Sequence, residues 1–247
     1  MTTAREIGLA ASLAAVRARI DRAATASGRD ASEIELLPVT KFFPASDVIL
    51  LRKLGCAAFG ESREREASNK AAEVAAALPG DPIRWHMIGR IQRNKARAVA
   101  GWAYAAHSVD SGVLVEALGR ASVQALADGT RTAPLRVYLQ LSLDGDPARG
   151  GVDLNRPDLV DELCALTDST DGLDFVGLMA IPPLEADPDA AFARLAAELG
   201  RVQGLYQQRL GLSAGMSGDI ETAVEHGSTC VRVGTALMGQ RPLTSPE

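Results

Sequence analysis

The run Glu35-Leu36-Leu37-Pro38-Val39-Thr40, followed by Lys41-Phe42-Phe43-Pro44, is short, apolar and β-branched, and it ends on a cation. Such a run bounded by turn residues reads as a buried strand. Working outward along the chain, the same kind of segment recurs at Cys56–Phe59, Arg84–Ile88, Trp102–His107, Leu135–Leu141, Leu173–Met179, Leu210–Ser213 and Thr229–Val233. Longer stretches with helical spacing separate them, among them Arg63–Leu78, Ser111–Leu126, Pro157–Leu166 and Asp187–Arg209. Strands alternating with helices imply a parallel sheet with crossover helices, and eight strands suffice to close it. The expected architecture is a (β/α)₈ barrel over 1–247, with its core at about 34–241. An open doubly wound sheet is the alternative, but no GxGxxG follows the first strand.

Length and composition are compatible with that reading. The chain has 247 residues, and barrels of this class typically run to about 250. Its 47% apolar and 23% charged residues allow a sizeable core and argue against disorder. A net charge of −5 gives no electrostatic case for nucleic acid or an anionic membrane. The opening residues carry Arg5, Arg17, Arg19 and Asp21 among apolar positions at helical spacing. They predict an extra N-terminal amphipathic helix that covers the barrel seam, not a targeting segment. Cys56, Cys164 and Cys230 are far apart in apolar surroundings, as reduced core cysteines are, and no metal site is expected. A cytoplasmic protein is expected.

In a barrel of this kind, reactive groups sit where strands end and βα loops begin. Lys41 holds that position after the first strand. Burial of an amine there favours the neutral nucleophile that Schiff-base chemistry needs, although a rim lysine reaching solvent is the plainer reading. Ser62, Asp110 and Ser111 are candidate helix caps. His86 has the parity of an inward-facing residue, and Met179 that of core packing or a soft contact with a flat ligand. The last two strand ends carry the strongest signal. Ser213-Ala214-Gly215-Met216-Ser217-Gly218-Asp219 opens a helix, and Val231-Arg232-Val233-Gly234-Thr235-Ala236 follows it. Loops after strands seven and eight often hold phosphate on helix N-termini and backbone N–H groups. An inward Arg232 needs an acceptor, because an unpaired buried guanidinium is costly.

Taken in order, several segments resemble one family. They are Pro38-Val39-Thr40-Lys41, Phe59-Gly60-Glu61-Ser62-Arg63, Trp85-His86-Met87-Ile88-Gly89 and Ile91-Gln92-Arg93-Asn94-Lys95. Gly177-Leu178-Met179, Gly215-Met216-Ser217-Gly218-Asp219 and Val231-Arg232-Val233-Gly234-Thr235-Ala236 complete the set. The pattern is similar to that of the pyridoxal 5′-phosphate (PLP) homeostasis proteins, also called the YggS or proline synthase co-transcribed type, from about residue 34 to Arg241. The resemblance implies a barrel like the N-terminal domain of alanine racemase, with PLP held as a Schiff base on Lys41. It implies a phosphate site on Ser217, Gly218, Gly234 and Thr235, with Arg232 near the pyridine nitrogen and His86 and Met179 lining the pocket. Three positions depart from the family pattern: Ser62 stands where Asn is frequent, Ala214 changes the serine-rich loop, and Arg149 stands where Lys is frequent.

The function implied by the resemblance is a PLP carrier serving PLP-dependent apo-enzymes, with any turnover a weak side activity; a monomer is expected, with no second domain to close the pocket. A PLP-dependent racemase or decarboxylase is the alternative. Racemases of the related fold add a C-terminal β-domain and a tyrosine from a dimer partner, neither of which is expected here. A cofactor-free Schiff-base aldolase is a third reading, disfavoured because the lysine lies on the first strand.

Overall fold

The structure, a computed structural model, describes residues 3–240; Arg241, where the resemblance ends, lies outside them. Eight parallel strands form the wall: β1 (Glu35–Pro38), β2 (Ala58–Glu61), β3 (Arg84–Met87), β4 (Ala105–Val109), β5 (Leu135–Ser142), β7 (Leu173–Ala180), β8 (Gly211–Ser213) and β9 (Cys230–Val233). A two-residue strand, β6 (Val152–Asp153), pairs with the end of β5; it is too short for periodicity to reveal. The spatial order is β1-β9-β8-β7-β5-β4-β3-β2. The ring closes between the ends of β1 and β2, where Val39 bridges Gly60 in parallel and Thr40 donates to the Gly60 carbonyl at 3.0 Å. The expected barrel is therefore present.

Helices α2 (Ala45–Lys53), α3 (Glu64–Ala77), α4 (Ala96–Trp102), α5 (Gly112–Ala127), α6 (Pro157–Ser169) and α7 (Pro188–Gln203) cover the wall. The last two, α8 (Ile220–Glu225) and α9 (Thr235–Met238), are too short to cover β8 and β9. The N-terminal helix α1 (Ala4–Ala26) packs with them instead. Its Leu9, Leu13, Val16 and Ile20 recur at three- and four-residue spacing, all buried, in a cluster with Val231, Val233, Ile220, Val224 and Leu237. Arg5 fastens its start, bonding both Asp47 carboxylate oxygens and the Met238 carbonyl.

Several boundaries differ from the expected ones, two of them for a readable reason. The fourth strand is Ala105–Val109, because Trp102 ends α4 and the apolar run hides the helix-to-strand change. The seventh helix stops at Gln203, after which the Gln203 side chain bonds the Tyr206 and Gln208 carbonyls and the Leu210 N–H, folding the chain back. The expected caps differ as well. Ser62 precedes the α3 N-cap, Arg63, and the N-caps of α3 and α5 make no side-chain cap bond. Asp110 instead accepts from the Gly151 N–H at 3.1 Å.

Strand alternation sorts the side chains. In β9, Val231 and Val233 pack against the helices, while Arg232 has the opposite parity, facing the interior. In β3, Trp85 and Met87 pack outward and His86 lies between them. The interior so made is unusually polar for a barrel, whose core is ordinarily filled by branched apolar residues.

The wall is tightest where β7 meets β8. Gly177 has φ 147°, and a β-carbon there would lie 2.0 Å from the Gly211 carbonyl oxygen. Backbone cannot yield as a flexible side chain can, so Gly177→Ala should lower stability by about 3 kcal/mol. Urea unfolding measures this; a loss under about 1 kcal/mol would show that the two strands part easily.

Candidate functional site

The C-terminal ends of β1, β9, β8 and β7 meet at one side of the mouth. Leu37 pairs with Arg232 and Pro38 with Val233, and the Val39 N–H donates to the Val233 carbonyl at 2.9 Å. Lys41, half-buried, thus begins its loop beside Gly234, whose absent β-carbon would lie 3.7 Å from that of Val39. The Arg232 N–H bonds the Gly215 carbonyl at 2.9 Å, and the Ala236 N–H bonds Ser217 Oγ at 3.2 Å, joining the two final loops. Gly215 has φ 90°, and a β-carbon there would press on Ala223 at 2.5 Å, so the turn out of β8 requires glycine. From the outside, Arg19 of α1 donates to the Ser217 carbonyl at 2.9 Å and pairs with Glu221. Gly218 and Thr235 are exposed, and Ser217 and Gly234 half-buried.

Inside the barrel, Arg232 is almost completely buried. It donates to Ser213 Oγ at 2.6 Å and to the Ala180 carbonyl at 3.0 Å, both uncharged. Burial pulls its pKa down. The network continues from Ser213 Oγ to His107 Nδ1 at 2.9 Å, and from His107 Nε2 to His86 Nδ1 at 2.8 Å. His86 Nε2 lies 4.0 Å from a carboxylate oxygen of Glu35, the first residue of β1.

A guanidinium can only donate, so Ser213 Oγ accepts from Arg232. A hydroxyl both donates and accepts, so the Ser213–His107 and His107–His86 contacts run in either direction, set by the tautomers the two rings take together. His86 Nε2 has no hydrogen-bond partner among the described residues. Both rings are neutral in either arrangement. Electrostatics agree. Burial, with Arg84 and Arg136 nearby, pushes His86 down to about 3. Burial, His86 and Arg232 hold His107 well below its ordinary value.

Residues expected at the site are thus brought together unevenly. Lys41, Ser217, Gly218, Arg232, Gly234 and Thr235 converge on one side of the mouth. Met179 is buried in a cluster with Tyr138 and Val176. His86 is interior, but its neighbours are Glu35 and Tyr104 at strand starts, and it reaches Arg232 only through His107 and Ser213. His107 and Ser213 were not singled out. The available signal was parity, since His86 pairs with Ala105 and puts His107 two residues further on.

The donor set suits an anionic, planar ligand with a reactive carbonyl. Arg232 is a buried cation bonded to neutral acceptors. The loops offer hydroxyls and N–H groups free of β-carbons at Gly218 and Gly234, and a primary amine stands beside them. Those are the requirements of PLP: acceptors at the ring and phosphate, and an aldehyde for Lys41.

Comparison with known proteins agrees. A family model described as alanine racemase, N-terminal domain, matches residues 11–242. The pyridoxal phosphate homeostasis protein of Mycobacterium tuberculosis is 58% identical over 98% of this chain and 96% of its own length. The protein PipY of Synechococcus elongatus, solved with PLP bound, superposes with a TM-score of 0.73 at 32% identity, over 90% of this chain and all of the other. A Bifidobacterium adolescentis crystal structure of unknown function superposes with a TM-score of 0.84 at 28% identity, over 96% of this chain and 97% of the other. No helix among the described residues is long and apolar enough to cross a membrane.

The neutral histidines give a pH dependence of known sign. Unfolded, each takes up its proton near pH 6.5. Folded, His86 does so at about 3 and His107 also far lower than usual. The unfolded chain binds more protons as pH falls. Their stabilising contribution is therefore full above about 6.5 and is lost progressively toward pH 3, by up to about 1.4 kcal/mol per pH unit per histidine. Denaturant titrations at pH 7, 6 and 5 should show this decline, and unchanged stability over that range would refute the neutral pair.

Proposed function

The chain belongs to the pyridoxal phosphate homeostasis protein family, and from that premise we propose that it binds PLP at the barrel mouth and serves intracellular PLP homeostasis. The observation that carries this reading is the buried Arg232 guanidinium, bonded only to neutral groups, one strand away from the loop that begins at Lys41.

When bound, PLP supplies an aldehyde that condenses reversibly with an amine and a ring that can withdraw electrons. Lys41 provides the amine. The Ser217 and Thr235 hydroxyls, with the N–H groups at Gly218 and Gly234, would hold the phosphate. Arg232 would meet the ring nitrogen as a hydrogen-bond donor. A cation at that nitrogen opposes its protonation, which weakens the electron withdrawal that amino-acid chemistry requires.

The chain's other groups support holding over turnover. His107 spends both ring nitrogens and His86 its Nδ1 on the internal network, and His86 Nε2 is buried. Tyr138 is buried, and burial pushes its hydroxyl well above the ordinary range, so it is a poor base. The Tyr104 hydroxyl accepts from Arg136 at 2.7 Å, at the start of β4, away from the mouth. The mouth itself is open at Gly218, Thr235 and Ala236, which suits handing the cofactor to an apo-enzyme.

Purified protein mixed with PLP should gain visible absorbance, and Lys41→Ala should abolish the covalent part. Loss of one charge-assisted donor costs about 1.5–3 kcal/mol, so Arg232→Gln should weaken binding about tenfold to a hundredfold. Equilibrium titration followed by gel filtration checks both. Exchange of amino-acid α-hydrogens in deuterated water should stay at the level of free PLP; sustained turnover would favour the racemase alternative. Transfer to an apo-enzyme no faster than from free PLP would count against delivery.

A further inference from the structure

Helix α3 carries a buried charged group that the binding site described above does not use. Lys70 is 6% exposed, yet its Nζ donates to Glu61 Oε1 at 2.7 Å and to the Thr40 carbonyl at 2.9 Å. Glu61 is wholly buried, and the same oxygen accepts from Thr40 Oγ1 at 2.7 Å. One turn before Lys70, Glu66 Oε1 accepts from the Phe42 N–H at 3.0 Å and lies 3.7 Å from Lys70 Nζ.

These contacts converge on one residue. The peptide that precedes Lys41 is held by its carbonyl oxygen, and the peptide that follows is held by its N–H. Both holds come from one face of α3. The Phe43 N–H closes the turn onto the same Thr40 carbonyl at 3.0 Å. Phe42 sits at φ 70°, a left-handed conformation that costs a bulky residue on the order of 1–2 kcal/mol. Its ring lies between two cations, with Arg63 at 5.1 Å and Lys41 Nζ at 5.9 Å from its centre.

A buried ion pair is a poor device for stability alone, because desolvation consumes most of the attraction. This one is placed where it fixes a strained turn on both sides of a single lysine. We infer that Glu66 and Lys70 are positioning residues for Lys41, setting the direction in which its amine leaves the backbone. The inference rests on the PLP reading for its ligand. Condensation joins Nζ to the aldehyde carbon as a C=N bond; the carbonyl oxygen leaves with the two amine hydrogens as one water, and nothing is oxidised or reduced. A lysine side chain has four rotatable bonds, so a fixed backbone origin raises the local concentration of amine at the aldehyde.

The test compares unaltered protein with Glu66→Ala, Glu66→Gln and the paired Glu61→Gln/Lys70→Met variant, which loses the Thr40 bond without stranding a buried carboxylate. PLP is added, borohydride fixes what has attached, and mass mapping reports rate and yield at Lys41. Thermal melts report folding, and amide exchange reports the Phe42 N–H. Glu66→Ala and the paired variant should remain folded, exchange Phe42 faster, and attach PLP about tenfold more slowly. Glu66→Gln keeps an oxygen acceptor and should restore attachment to within about twofold. If folded Glu66→Ala and the paired variant attach PLP as fast as the unaltered protein, the positioning role is wrong while the PLP reading stands. If the unaltered protein attaches none at Lys41, the PLP reading falls and takes this inference with it. If the paired variant does not fold, Glu66→Ala alone decides, by the same two outcomes.

Discussion

A positive charge inside a barrel must be balanced or shared, and the interior of this one is organised around that need. Arg232 is enclosed by the wall and answered by a hydroxyl and a carbonyl. Because it can only donate, Ser213 and the Ala180 carbonyl accept from it, and hydrogen bonds continue from Ser213 through His107 to His86. Leucines and valines in those positions would pack more simply. What the polar chain provides instead is a cation held in one place, hydrogen-bonded to neutral acceptors. A ligand that brings acceptors into the mouth therefore meets a prepared donor and pays little to reorganise it.

On the opposite side of β1, α3 does comparable work on backbone. The Glu61–Lys70 pair and Glu66 bind the turn that carries Lys41. The two arrangements divide the labour: one fixes where a ring would sit, the other where the amine starts. The loop after β8 is supported from outside by Arg19 of α1, which donates to the Ser217 carbonyl. A helix expected only as a cover for the barrel seam thus also supports the loop after β8.

Much of this was legible in the sequence, for identifiable reasons. Barrel strands are buried on both faces, so they stand out as short apolar runs, and all eight are present where the runs lie. Lys41, Arg232 and the two glycine-rich loops were visible because strand ends are where reactive groups collect. Boundaries failed where apolar composition continues across a change of structure, as at Trp102–Ala105, or where a side chain turns the backbone, as Gln203 does. Ser62 looked like a cap from its place before a helix, but cap bonding depends on local geometry that composition does not encode. The role of Lys70 is illegible in the sequence for a different reason. On a helix at surface-like spacing, a lysine reads as solvated, and only the tertiary fold brings Thr40 and Glu61 over it. His107 likewise gains meaning only from its neighbour on β3.

The register of β1 against β9 has a consequence for how the protein comes to be folded. Glu35 pairs with Cys230 and Pro38 with Val233, so strands from opposite ends of the chain close the wall. Contacts between such distant segments carry a large loop-closure cost and form late or slowly. Lys41 lies at the end of one of these strands, and Gly234 and Thr235 at the end of the other. The pocket therefore does not exist in any half-built barrel. A ligand bound to residues of both strands would stabilise their pairing, so its binding and the stability of the fold would be thermodynamically coupled.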